Sequence, residues 1–222
     1  VKLNLSVNNF NYSKSLTHIG HSGKMLFMRL FIAVLVLIFT LQTPSQADDI
    51  RDFQIEGMSI GDSLLDYFSE EEIKGWHKTL YSGSKKFHQI EAGASKSSFE
   101  LYDDVGFHIR NNDKKYIIAS LKGAKFFKNN LKACMKEKEK VTLEISNILP
   151  NAKEEIYDYK YKSVSDGNSI AYISDFEADN GAIRIYCVDW SAATEKGENW
   201  TDNLAVSISS SEFLNWLYTE SE

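Results

Sequence analysis

The feature that most constrains this chain is a turn. Asn180-Gly181 sits between two runs rich in alternating apolar residues, Ser169–Phe176 and Ala182–Trp190. An Asn-Gly pair in that setting signals a tight hairpin, because both residues tolerate the left-handed backbone such turns need. A second turn cluster, Ser165-Asp166-Gly167-Asn168, follows the run Ile156–Val164. That run puts Tyr157, Tyr159 and Tyr161 on one face of a strand. A third cluster, Asn111-Asn112-Asp113, separates Val105–Arg110 from Lys115–Leu121. Phe53–Glu56, Phe99–Tyr102 and Asn203–Ser209 complete the strand set. Strands linked by turns rather than by helices pair antiparallel. The expectation is an α+β domain: an antiparallel sheet of about five to seven strands, packed by one long helix and shorter terminal helices.

The long helix is predicted over Ala124–Leu149. Phe127, Leu131, Cys134, Val141, Ile145 and Ile148 fall in one arc at 3.6 residues per turn, with Lys138 the single interruption. Pro150 ends the run. Ser211-Glu212-Phe213-Leu214 begins a short terminal helix carrying Trp216 and Leu217.

The front of the chain has a different character. Residues 1–24 are polar and irregular, and we expect a non-native or disordered leader there. Met25 to Arg29 then leads into the apolar run Leu30–Leu41, followed by Pro44 and the small-x-small site Ser45-Gln46-Ala47. This is the pattern of a secretory signal peptide over 25–47, cut between Ala47 and Asp48. The run falls short of the roughly 20 apolar residues of a standard spanning helix. The alternative is retention as a membrane tether. Residues 48–222 then form one exported domain, periplasmic or extracellular. Cleavage removes Lys2, Lys14, Lys24 and Arg29 and no acidic residue, leaving 21 of the 25 basic residues against all 31 acidic ones, a net of −10. Such a domain is a poor nucleic-acid binder, since phosphate contacts dominate that affinity.

Export bears on the two cysteines. Cys134 and Cys187 are the whole complement, and an oxidising compartment invites their pairing. The alternative is two separate buried thiols.

Gly61-Asp62-Ser63-Leu64 spells the signature of GDSL serine hydrolases. That resemblance implies a parallel α/β sheet, a nucleophilic Ser63, and a C-terminal Asp-x-x-His supplying its base. Here the last histidine is His108, the residues three places before His77, His88 and His108 are Lys74, Lys85 and Val105, and the strand pattern is antiparallel. Ser63 with Asp66 three residues on reads instead as a helix cap. A serine esterase using Ser63 is kept as the alternative function. Lys122, Lys125, Lys128, Lys132, Lys136 and Lys140 recur as a basic stripe, and Trp190 and Trp200 bracket a polar loop. Lys125, Lys128, Lys132, Lys136, Trp190 and Trp200 are the candidate binding surface, against the plainer reading of a solvated face and a surface connection. The histidines show no metal-ligand spacing and no nucleotide-binding glycine loop is found, so no metal and no cofactor are expected.

Phe53–Ile73, together with Cys187-Val188-Asp189-Trp190-Ser191, resembles uncharacterised small exported bacterial proteins. That group brings no activity to carry over. The functional expectation is a non-enzymatic module binding a protein or small ligand, with no nucleic acid, and a membrane only if the signal segment is retained.

Overall fold

The computed structural model describes residues 49–83, 85–93 and 99–221. The leader, the signal segment and the Ala47–Asp48 site lie outside the described residues. Among the described residues no helix is long and apolar enough to cross a membrane.

Eight strands form one antiparallel sheet, one more than the top of the expected range. They are β1 (His77–Leu80), β2 (Phe87–Glu91), β3 (Asp104–Arg110), β4 (Ile118–Phe126), β5 (Lys153–Lys160), β6 (Ile170–Ala178), β7 (Gly181–Asp189) and β8 (Asn203–Ser210). Their order is β1-β2-β3-β4-β8-β7-β6-β5. The sheet is two four-stranded meanders, joined where β8 returns beside β4. β1 and β2 are absent from the expected set: His77–Leu80 is mostly polar and exposed throughout, as an edge strand is, and in β2 the adjacent Phe87 and His88 are both buried, so neither run shows a clean apolar alternation.

Phe99–Tyr102 is not a strand. Glu56 takes up its donors: the carboxylate accepts from the backbone N–H groups of Glu100, Leu101 and Tyr102 at 2.9, 2.7 and 3.0 Å. Phe53–Glu56 likewise forms no strand, only a bridge between Ile55 and Met58. The hairpin between β6 and β7 turns on Asp179 and Asn180, with Gly181 opening β7. A Cβ at Gly181 would lie 2.1 Å from the Ser209 carbonyl oxygen, so close strand approach rather than the turn itself demands glycine here.

Four α-helices are present among the described residues: α1 (Glu70–Lys74), α2 (Leu131–Ile148), α3 (Ala192–Glu198) and α4 (Ser211–Glu220). The long helix, α2, starts seven residues later than the expected Ala124. β4 runs on through Phe126 because it pairs with β8 up to Asn203, and Asn130 then caps the helix by accepting from Ala133 N–H. Lys122 and Lys125 therefore belong to a strand. Lys138, the interruption in the stripe, is buried and donates to Ser174 Oγ at 2.6 Å.

The two faces of the sheet differ. One carries Phe107, Leu121, Ile183, Ile185, Val206 and Ile208, covered by Val141 and Ile145 of α2 and by Ile50, Phe53, Leu64 and Trp76 of the leading segment. The Cys134–Cys187 disulfide joins α2 to β7 inside this core, with a Cα–Cα distance of 6.0 Å. The other face bears α4, whose Phe213 and Trp216 pack on Phe87. Only ten residues long, α4 leaves much of that face uncovered.

Candidate functional site

The uncovered face is a cleft of about 640 Å³. Strand register explains its lining. Residues directly opposite one another share a face, so pairing writes transverse rows across the sheet. One row runs Lys122, Ser207, Arg184, Asp175, Glu155 from β4 to β5. The next runs His108, Ser120, Ser209, Ala182, Glu177 from β3 to β6. Serine and alanine at the centre keep the floor low, while charged and aromatic side chains rise at the sides.

Arg184 is the electrostatic centre. Its Nε and Nη2 donate to the two oxygens of Asp175 at 2.7 and 2.8 Å. Nη2 also reaches the hydroxyls of Tyr157 and Tyr218 at 3.1 and 3.2 Å. Tyr157 in turn donates to Asp175 at 2.8 Å. The bidentate pairing fixes the guanidinium plane. Asp175 raises the Arg184 pKa further above its already high value. Burial, then the bond to Asp175, pushes the Tyr157 hydroxyl up to about 12, and burial pushes Tyr161 to a similar value. These phenols stay protonated at ordinary pH.

His108 marks the end of the cleft near α4. Its ring lies 4.4 Å from Phe213, and Nε2 pairs with the Tyr81 hydroxyl at 2.7 Å. Nδ1 is enclosed without a partner. Burial, aided by Lys122 and His88, pushes the imidazole down to about 3, so it is neutral at pH 7. Beside it the Ser120 and Ser209 hydroxyls bond each other at 2.7 Å.

An aromatic file flanks the same face. Tyr159, Tyr161, Trp190 and Trp200 follow one another at ring separations of 5.0, 5.1 and 4.6 Å. Asp202 holds the tryptophan loop: its carboxylate accepts from Trp190 N–H at 2.8 Å and its carbonyl from Phe127 N–H at 2.7 Å. Ser191 caps α3 and donates to Asp166 at 2.7 Å, tying the β5–β6 turn to that loop.

The sequence candidates separate in space. Trp190 lies over Ile173 and Val188 on the cleft side and stacks against Trp200. Lys132 and Lys136 are exposed on α2, which covers the opposite face, and Lys128 lies in the turn before it. Lys125 sits on β4 opposite Leu204. The lysines and the tryptophans are therefore not one surface. Among the described residues no group of three or more metal-ligating side chains gathers.

Ser63 stands at the N-cap of a 3-10 turn over Leu64–Asp66. Its hydroxyl donates to the Lys115 carbonyl at 2.6 Å and accepts from Leu65 N–H at 3.2 Å. No imidazole is among these partners. Asp66 does not close the expected box: its N–H bonds the Ser63 carbonyl. Both arms of a capping box occur instead at Ser69 and Glu72, opening α1. Gly61 (φ +93°) turns the chain so that its N–H donates to Ile118 and the Asp62 carbonyl accepts from Ile118, docking the segment on β4.

Arg184, Asp175 and Tyr81 were not singled out from the sequence, and Lys122 and His108 stood there only in the basic stripe and as a possible base for Ser63. They come from five segments and make no local motif. One signal was present: Arg184 sits between Ile183 and Ile185 in a central strand, so it had to face a second, polar side of the sheet. Comparison with protein-family models, curated proteins and solved structures finds no match.

Proposed function

We propose that this protein is an exported, non-enzymatic binding module, and that the cleft beside α4 takes a short carbohydrate. The observation that carries the reading is the contrast between the two sheet faces. One is sealed with apolar side chains. The other leaves a fixed Arg184–Asp175 pair and protonated tyrosines open in a cleft. A concave site with a few convergent polar groups among aromatic rings is the usual form of a small-ligand pocket. Tyrosine offers an apolar ring and a hydroxyl together, which suits a ligand with apolar faces and hydroxyl edges. Arg184 and Asp175 offer donors and acceptors side by side, as a polyhydroxylated ring requires. The disulfide is compatible with an oxidising compartment and supports the export reading.

Tyr186, opposite Ile173 on β7, also lines the cleft, and the test is calorimetric titration of the full chain with neutral and N-acetylated mono- to tetrasaccharides, beside the Arg184→Ala and Tyr186→Ala variants. Binding by the native protein that drops at least about tenfold in both variants supports the reading. Binding that both variants retain removes the cleft from it, and no heat with any saccharide removes the ligand class.

A further inference from the structure

The sheet has two edges, and they are built differently. β1 is four residues long, a blunted edge. β5 is eight residues long and exposed at every position, including Ile156 at 71 % and Tyr159 at 52 %. Its outer backbone groups follow from the pairing with β6. Tyr161 N–H donates to the Ser169 carbonyl at 3.0 Å, in register with the β5–β6 ladder. Alternation then turns the odd-numbered residues of β5 towards β6. The N–H and C=O groups of Glu154, Ile156, Asp158 and Lys160 point outward.

We infer that β5 pairs antiparallel with β5 of a second copy of this chain, about a two-fold axis at Tyr157. The register follows from the outward groups and from charge. Outward residues must face outward residues, so the axis passes through a residue and not between two. Four registers keep five or more residues of each strand paired. An axis at Glu155 sets that carboxylate against itself. An axis at Ile156 sets Glu154 against Asp158 twice. An axis at Asp158 sets Asp158 against itself. Directly opposed like charges destabilise a strand pair. The axis at Tyr157 avoids all of these and places Glu154 opposite Lys160 at both ends, Glu155 opposite Tyr159, and Ile156 opposite Asp158. Lys160 donates to Asn168 Oδ1 at 3.3 Å, an exposed contact easily exchanged. The pairing supplies up to about eight backbone hydrogen bonds and continues the sheet through both subunits. It also brings Tyr157 and Tyr159 of each copy to the rim of the other's cleft, although the dimer stands whether or not the cleft binds a carbohydrate.

Cysteine cross-linking of the full chain reads the register directly, because Cys134 and Cys187 leave no free thiol. At the axis, Tyr157 faces Tyr157 as a non-hydrogen-bonded pair with Cα atoms about 4.5 Å apart, within disulfide range. Tyr159 lies about 13 Å from its counterpart, four residues along the strand. Mild oxidation is expected to link Tyr157→Cys into a dimer and to leave Tyr159→Cys monomeric. In sedimentation velocity, Glu154→Lys is expected to weaken the native dimer about tenfold and Glu154→Lys with Lys160→Glu to restore it. A native chain that stays monomeric across a concentration series overturns the proposal. So does cross-linking at Tyr159→Cys in preference to Tyr157→Cys, or an association that Glu154→Lys leaves unchanged.

Discussion

Arg184 and Asp175 face each other across β7 and β6, joined by two hydrogen bonds of 2.7 and 2.8 Å on the open side of the sheet. On the sealed side the neighbouring pairs are apolar or small, such as Phe176 with Ile183. Arg184→Ala removes the donor fork and leaves Asp175 to Tyr157. The pair is partly exposed, so the stability cost is small, on the order of 1 kcal/mol. A urea midpoint close to native, together with a binding loss of at least about tenfold, is the expected combination.

The disulfide is the principal covalent support of α2. Cys134→Ser with Cys187→Ser is expected to lower stability by about 2–4 kcal/mol, since the bond closes a long loop between residues separated by 53 positions. In a protein of this size that is a fall in Tm of roughly 5–15 °C. Alkylation of the native chain under denaturing, non-reducing conditions should modify no thiol. Two modified thiols would contradict the pairing.

His108 makes the fold acid-sensitive. Its folded pKa, about 3, lies below the ordinary histidine value of 6.5. The unfolded chain therefore takes up the proton first. The stability tied to a neutral His108 is complete above about pH 6.5 and is lost as the pH falls towards 3, at up to about 1.4 kcal/mol per pH unit. His88, also lowered by burial, acts in the same direction. Asp202, raised by burial, acts in the opposite direction. Chemical denaturation at pH 7 and 4.5 should show a large native difference and a clearly smaller one for His108→Phe. Equal differences would contradict the assignment.

The hydroxyl of Ser63 is engaged at both its donor and acceptor sides by backbone. Ser63→Ala should cost about 1 kcal/mol, the ordinary value of a lost cap. A fluorophosphonate probe should leave the native protein unlabelled at Ser63. Labelling there would reinstate the esterase alternative.

What the sequence made legible follows from how local each signal is. The β5–β6–β7–β8 meander was readable because turns and alternation are short-range, and each strand end falls within a few residues of its expected place. The helix start was not readable. Pairing with β8 holds Ala124–Phe126 in a strand, where the sequence reading starts the helix. Trp190 and Trp200 were visible as candidates and Tyr157 and Tyr161 as one face of a strand, and the fold gathers them along one face. The polar heart of the site stayed hidden because Lys122, Arg184 and Asp175 meet only through register across β4, β8, β7 and β6. The basic stripe failed as a unit for the same reason: its members divide between β4, a turn and α2.

The most direct measurement is a chemical-shift map of the isotopically labelled full chain during titration with the tightest-binding saccharide. Shifts concentrated at Arg184, Tyr186, Ser207 and Tyr218, with the α2 residues Lys132 and Lys136 unmoved, are the predicted result. Shifts centred on α2, or none at saturating saccharide, would contradict the assignment of the open sheet face as the binding site.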